Sequence, residues 1–101
     1  MACKAEILPT AKQELRQIIS YHVRALASPQ AARALLDEFE RQLELICKNP
    51  RMRPLSALPE LAALGYRSTP VKSYIALYTI QGERVIVSHI FHQSQDYAAL
   101  I

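Results

Sequence analysis

A chain of 101 residues, half of them apolar and 21% charged, has the composition of one globular domain rather than of a disordered or low-complexity segment. Twelve Lys and Arg against nine Asp and Glu give a formal net charge of +3 and a pI near 9.1, which favours an acidic partner, nucleic acid or protein, without requiring one. Cys3 and Cys47 show no CxxC spacing, so neither a zinc knuckle nor a disulfide framework is expected. The charges at Lys4, Glu6, Lys12, Glu14 and Arg16 are unlike a signal peptide, and no run approaches the roughly 18 apolar residues of a membrane span. A reducing cytoplasm is the expected setting.

Cys3, Ala5 and Ile7 alternate with Lys4 and Glu6, the period of a half-buried strand, which Pro9 stops. Thr10 and Gln13 have the spacing of a capping box for a helix starting near residue 11. Leu15, Ile18, Ile19, His22 and Leu26 then mark one helical face. Ser28 and Pro29 signal a second helix, whose stripe is Ala32, Leu35, Leu36, Phe39, Leu43, Ile46 and Cys47 and whose end is Asn49–Pro50. The joint between the two is so short that they must form an antiparallel hairpin.

Prolines 50, 54 and 59 mark a connecting loop with room for one short helical turn. Three strands are predicted after Gly65. The first contains Pro70, which requires an edge position or a bend, and Lys72–Ser73 is a turn or a register change before Tyr74–Ile80. "QGE" is a hairpin loop, and "RVIVSHIF", apolar on both faces, is the central strand. The expected architecture is a single α+β domain over residues 1–101, β-α-α-β-β-β. A helical hairpin packs on a mainly antiparallel sheet of about four strands, followed by a short C-terminal tail.

The order of these elements, together with "ILPTAKQELRQIISYH", the "NP" helix end, "GYRSTPVKSYIALYTI" with its Gly–x–Arg and paired tyrosines, and "VIVSHIFHQSQDY", resembles the RelE/ParE superfamily of bacterial type II toxin–antitoxin toxins. The resemblance implies a plasmid-stabilisation-like toxin neutralised by a cognate antitoxin through an acidic, partly disordered segment, in a hetero-oligomer. It leaves two mechanisms. RelE-like members cut mRNA on the ribosome, and ParE-like members inhibit DNA gyrase by binding, without catalysis.

Cutting RNA requires a proton acceptor, a proton donor and fixed positive charge over the phosphate. The RelE-like ribonucleases place an arginine right after the tyrosine of the middle strand, where this chain has Ile75. The ParE-like branch is therefore the expectation, with no cofactor and no metal. In the ribonuclease alternative, His92, Asp96 and Arg67 are the catalytic candidates. For binding the target or the antitoxin the candidates are Arg67, Lys72, Arg84, His92, Gln95, Asp96 and Tyr97. Arg67, Lys72 and Arg84, with Arg51 and Arg53, are candidates for a basic patch, although ordinary solvated surface is the favoured reading of each. His22 reads as a packed boundary histidine, and Tyr74 and Tyr78 as same-face core residues. If the last strand runs through Phe91, His89 and His92 point to opposite faces and share no metal.

Overall fold

The computed structural model describes residues 4–100; Cys3, expected to open the first strand, lies outside the described residues. Strand β1 (Lys4–Ile7) is brief because the chain turns at once into a helix: Leu8 N–H bonds to Val87 O at 2.9 Å and Pro9, with no donor, takes the first helical position of α1 (Pro9–Ser20). The expected capping box does not form. Thr10 lies inside the helix, and the N-cap is the extended Leu8, which offers no capping side chain.

The first helical face is also cut short. After Ser20 the chain winds into a wider π-helical turn (Tyr21–Ala25), in which Leu26 N–H bonds to Tyr21 O, and it leaves through Ala27 at φ +49°. Leu15, Ile18 and Ile19 pack on the core, but the wider turn carries Leu26 off the stripe, leaving it 51% exposed. Helix α2 (Pro29–Lys48) starts as expected, with Ser28 Oγ accepting from Ala31 N–H at 3.2 Å. It buries Ala32, Leu35, Phe39 and Ile46, and also Gln42, a polar residue on the apolar stripe. Cys47 is disulfide-bonded, against the expectation that no disulfide forms.

The short helix α3 (Pro59–Ala63) precedes strands β2 (Arg67–Val71), β3 (Tyr74–Gln81) and β4 (Arg84–His92). The sheet order is β1-β4-β3-β2, with β1 parallel to β4 and the other pairs antiparallel, so β4 is interior and the Pro70 strand lies at an edge. The two hairpin turns both need positive φ: Gly82 supplies it at +64°, whereas Lys72 adopts +58° at a side-chain cost that glycine would not carry.

One irregularity sets the facing of β4. Leu77 pairs with His89 but Tyr78 pairs with Val87, so Ser88 is an extra residue, a β-bulge. Before it Val85 and Val87 face the helices; after it Ile90 and His92 do, while Phe91 joins Leu61 and Leu77 on the opposite face.

Gln42 organises the far end of the sheet. Its Oε1 accepts from the buried Thr69 hydroxyl (2.7 Å) and from Arg53 (2.9 Å), and its amide donates to Glu38 (2.9 Å). Arg41 also donates to Glu38, and this hydrogen bond, followed by that of Gln42, holds the Glu38 carboxyl down to about 2 from an ordinary 4.5. A carboxylate depressed in this way stabilises the fold above about pH 4.5 and loses that contribution as pH falls toward 2. Urea midpoints of a Glu38→Gln variant should therefore fall less steeply than wild type over this window; parallel acid limbs would refute the assignment.

Candidate functional site

The C-terminal third of β4 lies beyond the reach of β1, whose pairing stops at Ile7 opposite Val87. Glu14 of α1 covers this stretch. Its Oε1 accepts Ile90 N–H at 2.9 Å, and its Oε2 lies 3.3 Å from His89 Nδ1. Between α1, the π-helical turn and this strand end is a cleft of about 550 Å³, lined by Glu14, Gln17, Tyr21, Tyr74, His92 and Gln95 over an apolar floor of Ile18 and Ile90, with Phe91 also contributing to its wall.

Its aromatic wall is a run of rings. Tyr21 meets His22 edge-on (5.9 Å between centroids), His22 lies 5.9 Å from Tyr74, and Tyr74 meets His92 edge-on at 5.2 Å. Burial, and secondarily the neighbouring Tyr21 hydroxyl, push the Tyr74 hydroxyl above its ordinary value. His22 Nδ1 lies 2.9 Å from the Ile18 carbonyl and therefore donates to it. His92 is held the other way round: Ser94 N–H donates to Nδ1 at 3.1 Å, so in the neutral ring the proton sits on Nε2. The Ser94 hydroxyl is 2.6 Å from the same nitrogen, and His92 N–H donates to Gln95 Oε1 at 2.7 Å.

The structure brings together only part of the expected set. His92 and Gln95 share the cleft, but Asp96 makes no side-chain hydrogen bond or ion pair among the described residues; Ser94 fixes the His92 ring instead. Tyr97 leaves for the other face, where it stacks on Phe91 at 6.1 Å. His89 also stacks on Phe91, at 5.1 Å, so the two histidines of the strand point to opposite faces as expected. Among the described residues no three of His, Cys, Asp and Glu converge as metal ligands.

The candidate basic patch is split: Arg53 and Arg67 meet at one end of the sheet, while Lys72 and Arg84 lie at separate turns. Arg67 sits at the end of the sheet remote from His92, paired with Tyr78, and its guanidinium donates to the Arg53 carbonyl at 2.6 Å. Tyr78 donates to the Pro50 carbonyl nearby, at 3.0 Å. Arg67 is thus committed to holding the 50–53 loop. Arg84 lies at the β3–β4 turn in an ion pair with Glu6. Lys72 occupies the β2–β3 turn, beside a smaller hollow lined by His22 and Tyr74. Sequence reasoning missed Glu14, Gln17 and Tyr21 as site residues because nothing local distinguishes them from an exposed helix face. It read Tyr74 as core only.

This fold is shared. The structure aligns with the chromosomal ParDE toxin–antitoxin system from P. aeruginosa at a TM-score of 0.70 and 17% identity, covering 90% of this chain and 96% of the other. YafQ from E. coli strain BL21(DE3) aligns at 0.61 and 16%, covering 98% of each chain. The YoeB dimer from Staphylococcus aureus aligns at 0.61 and 13%, covering 92% of this chain and 99% of that one. No curated protein sequence matches significantly. The sequence pattern of the family described as "ParE toxin of type II toxin-antitoxin system, parDE" matches residues 5–97. The chain belongs to that family and is the toxin of a type II toxin–antitoxin system, with a cognate antitoxin as its partner. Among the described residues no helix is long and apolar enough to cross a membrane.

Proposed function

We propose that this toxin disables DNA gyrase by binding it, without catalysis, and that an acidic, flexible antitoxin segment neutralises it in a cytoplasmic hetero-oligomer that favours plasmid retention. The observation that carries this reading is the setting of Ile75. Where the RelE-like ribonucleases resembled by the sequence carry an arginine, this side chain packs against the buried Leu61, Leu77 and Phe91, beside Leu58, Tyr66 and Tyr97. An apolar cluster occupies the place of the cation that a phosphate in transition would need, an interaction worth about 2.7–4 kcal/mol in comparable sites. The His92 cleft supplies no substitute, since no Lys or Arg lines it.

The ribonuclease alternative keeps one supporting observation: His92 offers a proton on Nε2 at the rim of a cleft. Supercoiling by purified gyrase, and transcript integrity in a ribosome-containing extract, separate the two. The expected result is loss of supercoiling with transcripts intact. Rapid transcript cleavage with gyrase unaffected, abolished roughly 100-fold or more by His92→Ala, would overturn the proposal.

A further inference from the structure

The electrostatics of the cleft run against those of the chain around it. Twelve Lys and Arg make the protein basic, yet the cleft lining contains none of them and one carboxylate, Glu14. That carboxylate is four-fifths buried and still has acceptor capacity to spare. Oε1 takes one backbone N–H and Oε2 faces one imidazole nitrogen, which leaves each oxygen a further lone-pair direction. Around it stand the rings of Tyr21, Tyr74 and His92, with Tyr21 53% exposed at the rim, and the amide side chains of Gln17 and Gln95. The Tyr74 hydroxyl makes no hydrogen bond among the described residues.

A carboxylate beside aromatic rings, with side-chain amides at the edge and no competing Lys or Arg, is the lining that accepts a guanidinium or ammonium group. The carboxylate supplies charge-assisted hydrogen bonds and the rings supply cation–π attraction. Phosphate is disfavoured by the same inventory, because it would meet Glu14 with no basic side chain to offset the repulsion. The volume of about 550 Å³ admits one long side chain and part of the backbone that presents it.

A second surface has the opposite character. The groove between α1 and α2, floored by Leu15, Ile19, Val23 and Leu36, is flanked by Arg16 and Arg24 and so complements an acidic segment. Two surfaces of opposite preference on one small chain suit two partners, the acidic antitoxin segment at the groove and the target at the cleft.

We infer that the Glu14–Tyr21–Tyr74–His92 cleft grips the target protein through an arginine or lysine side chain. This rests on the reading of the protein as a toxin that acts by binding a target protein. Glu14→Gln keeps an acceptor for Ile90 N–H and removes the charge; Tyr21→Ala removes an exposed ring.

The chemistry is tested without any target, by NMR titration with a blocked arginine peptide, its citrulline analogue and a dinucleotide, with thermal melts confirming that the variants fold. The expected result is a set of shifts confined to Tyr21, Tyr74 and His92 with the arginine peptide, about tenfold weaker in Glu14→Gln and about two- to fivefold weaker in Tyr21→Ala. Equal binding of the citrulline peptide, binding insensitive to Glu14→Gln, or the dinucleotide occupying the cleft instead would each overturn the inference. In the gyrase assay, Glu14→Gln should need about tenfold more toxin than wild type. Equal potency of the two sinks the target assignment while leaving the gyrase reading intact; a wild type that does not inhibit sinks the gyrase reading, and the peptide titration still decides the cleft.

Discussion

Replacing Gln42 by leucine should lower the unfolding free energy by about 3 kcal/mol, although leucine fits the apolar stripe of α2 better than glutamine does. The side chain is 3% exposed and its carbonyl oxygen serves two donors, the Thr69 hydroxyl and the Arg53 guanidinium. Thr69 is 1% exposed and has no water to turn to, and Arg53 already buries Nε without a partner. Each donor stranded in this way costs roughly 1–3 kcal/mol, against which the extra apolar contact of leucine recovers only part. Thr69→Val removes a single donor and should cost about 1 kcal/mol. Urea midpoints at unchanged m-value measure both. A Gln42→Leu variant as stable as wild type would show that the network does not hold the 50–53 loop to the sheet.

Phe39→Ala is expected to cost about 3–5 kcal/mol, a large fraction of the 5–15 kcal/mol typical of a domain. Phe39 is 3% exposed and sits in the cluster of Leu35, Ile46, Val71 and Tyr78, where the hairpin meets the sheet. Helix and strands come from opposite halves of the chain and cannot close fully on a vacated ring, so a cavity term adds to the lost transfer energy. Phe39→Leu keeps most of the volume and should cost less than about 1.5 kcal/mol. Chemical denaturation of the pair gives the ratio; near-equal losses would mean that the site collapses and that this contact is not rigid.

Much of the fold was legible because its signals are local. Ser28–Pro29 starts a helix by satisfying orphan amides, Pro70 excludes a central position, and the apolar stripe of α2 follows from helical spacing alone. The signals that misled were also local. Thr10 and Gln13 have capping-box spacing, but Pro9 starts the helix earlier because its missing N–H costs nothing at the first position. Leu26 keeps the period of an α-helix, yet a π-helical turn intervenes that no side chain announces. Gln42 gave no local signal of its role, because its partners, Thr69 and Arg53, are 27 and 11 residues away in sequence.

The site divides in the same way. The sequence by itself determined that His89 and His92 lie on opposite faces, since strand parity is a property of the backbone, and that position 75 carries no cation. It could not determine which histidine meets the helices. Regular alternation from Val85 and Val87 would have sent His89 and Phe91 toward them; the bulge at Ser88 inverts the parity and delivers Ile90 and His92 instead. Nor could it foresee that Arg67 would be spent on the Arg53 carbonyl, or that Glu14, 76 residues from Ile90, would close the open end of β4. Those outcomes depend on pairing register and on contacts between distant segments, which only the folded chain brings within hydrogen-bonding distance.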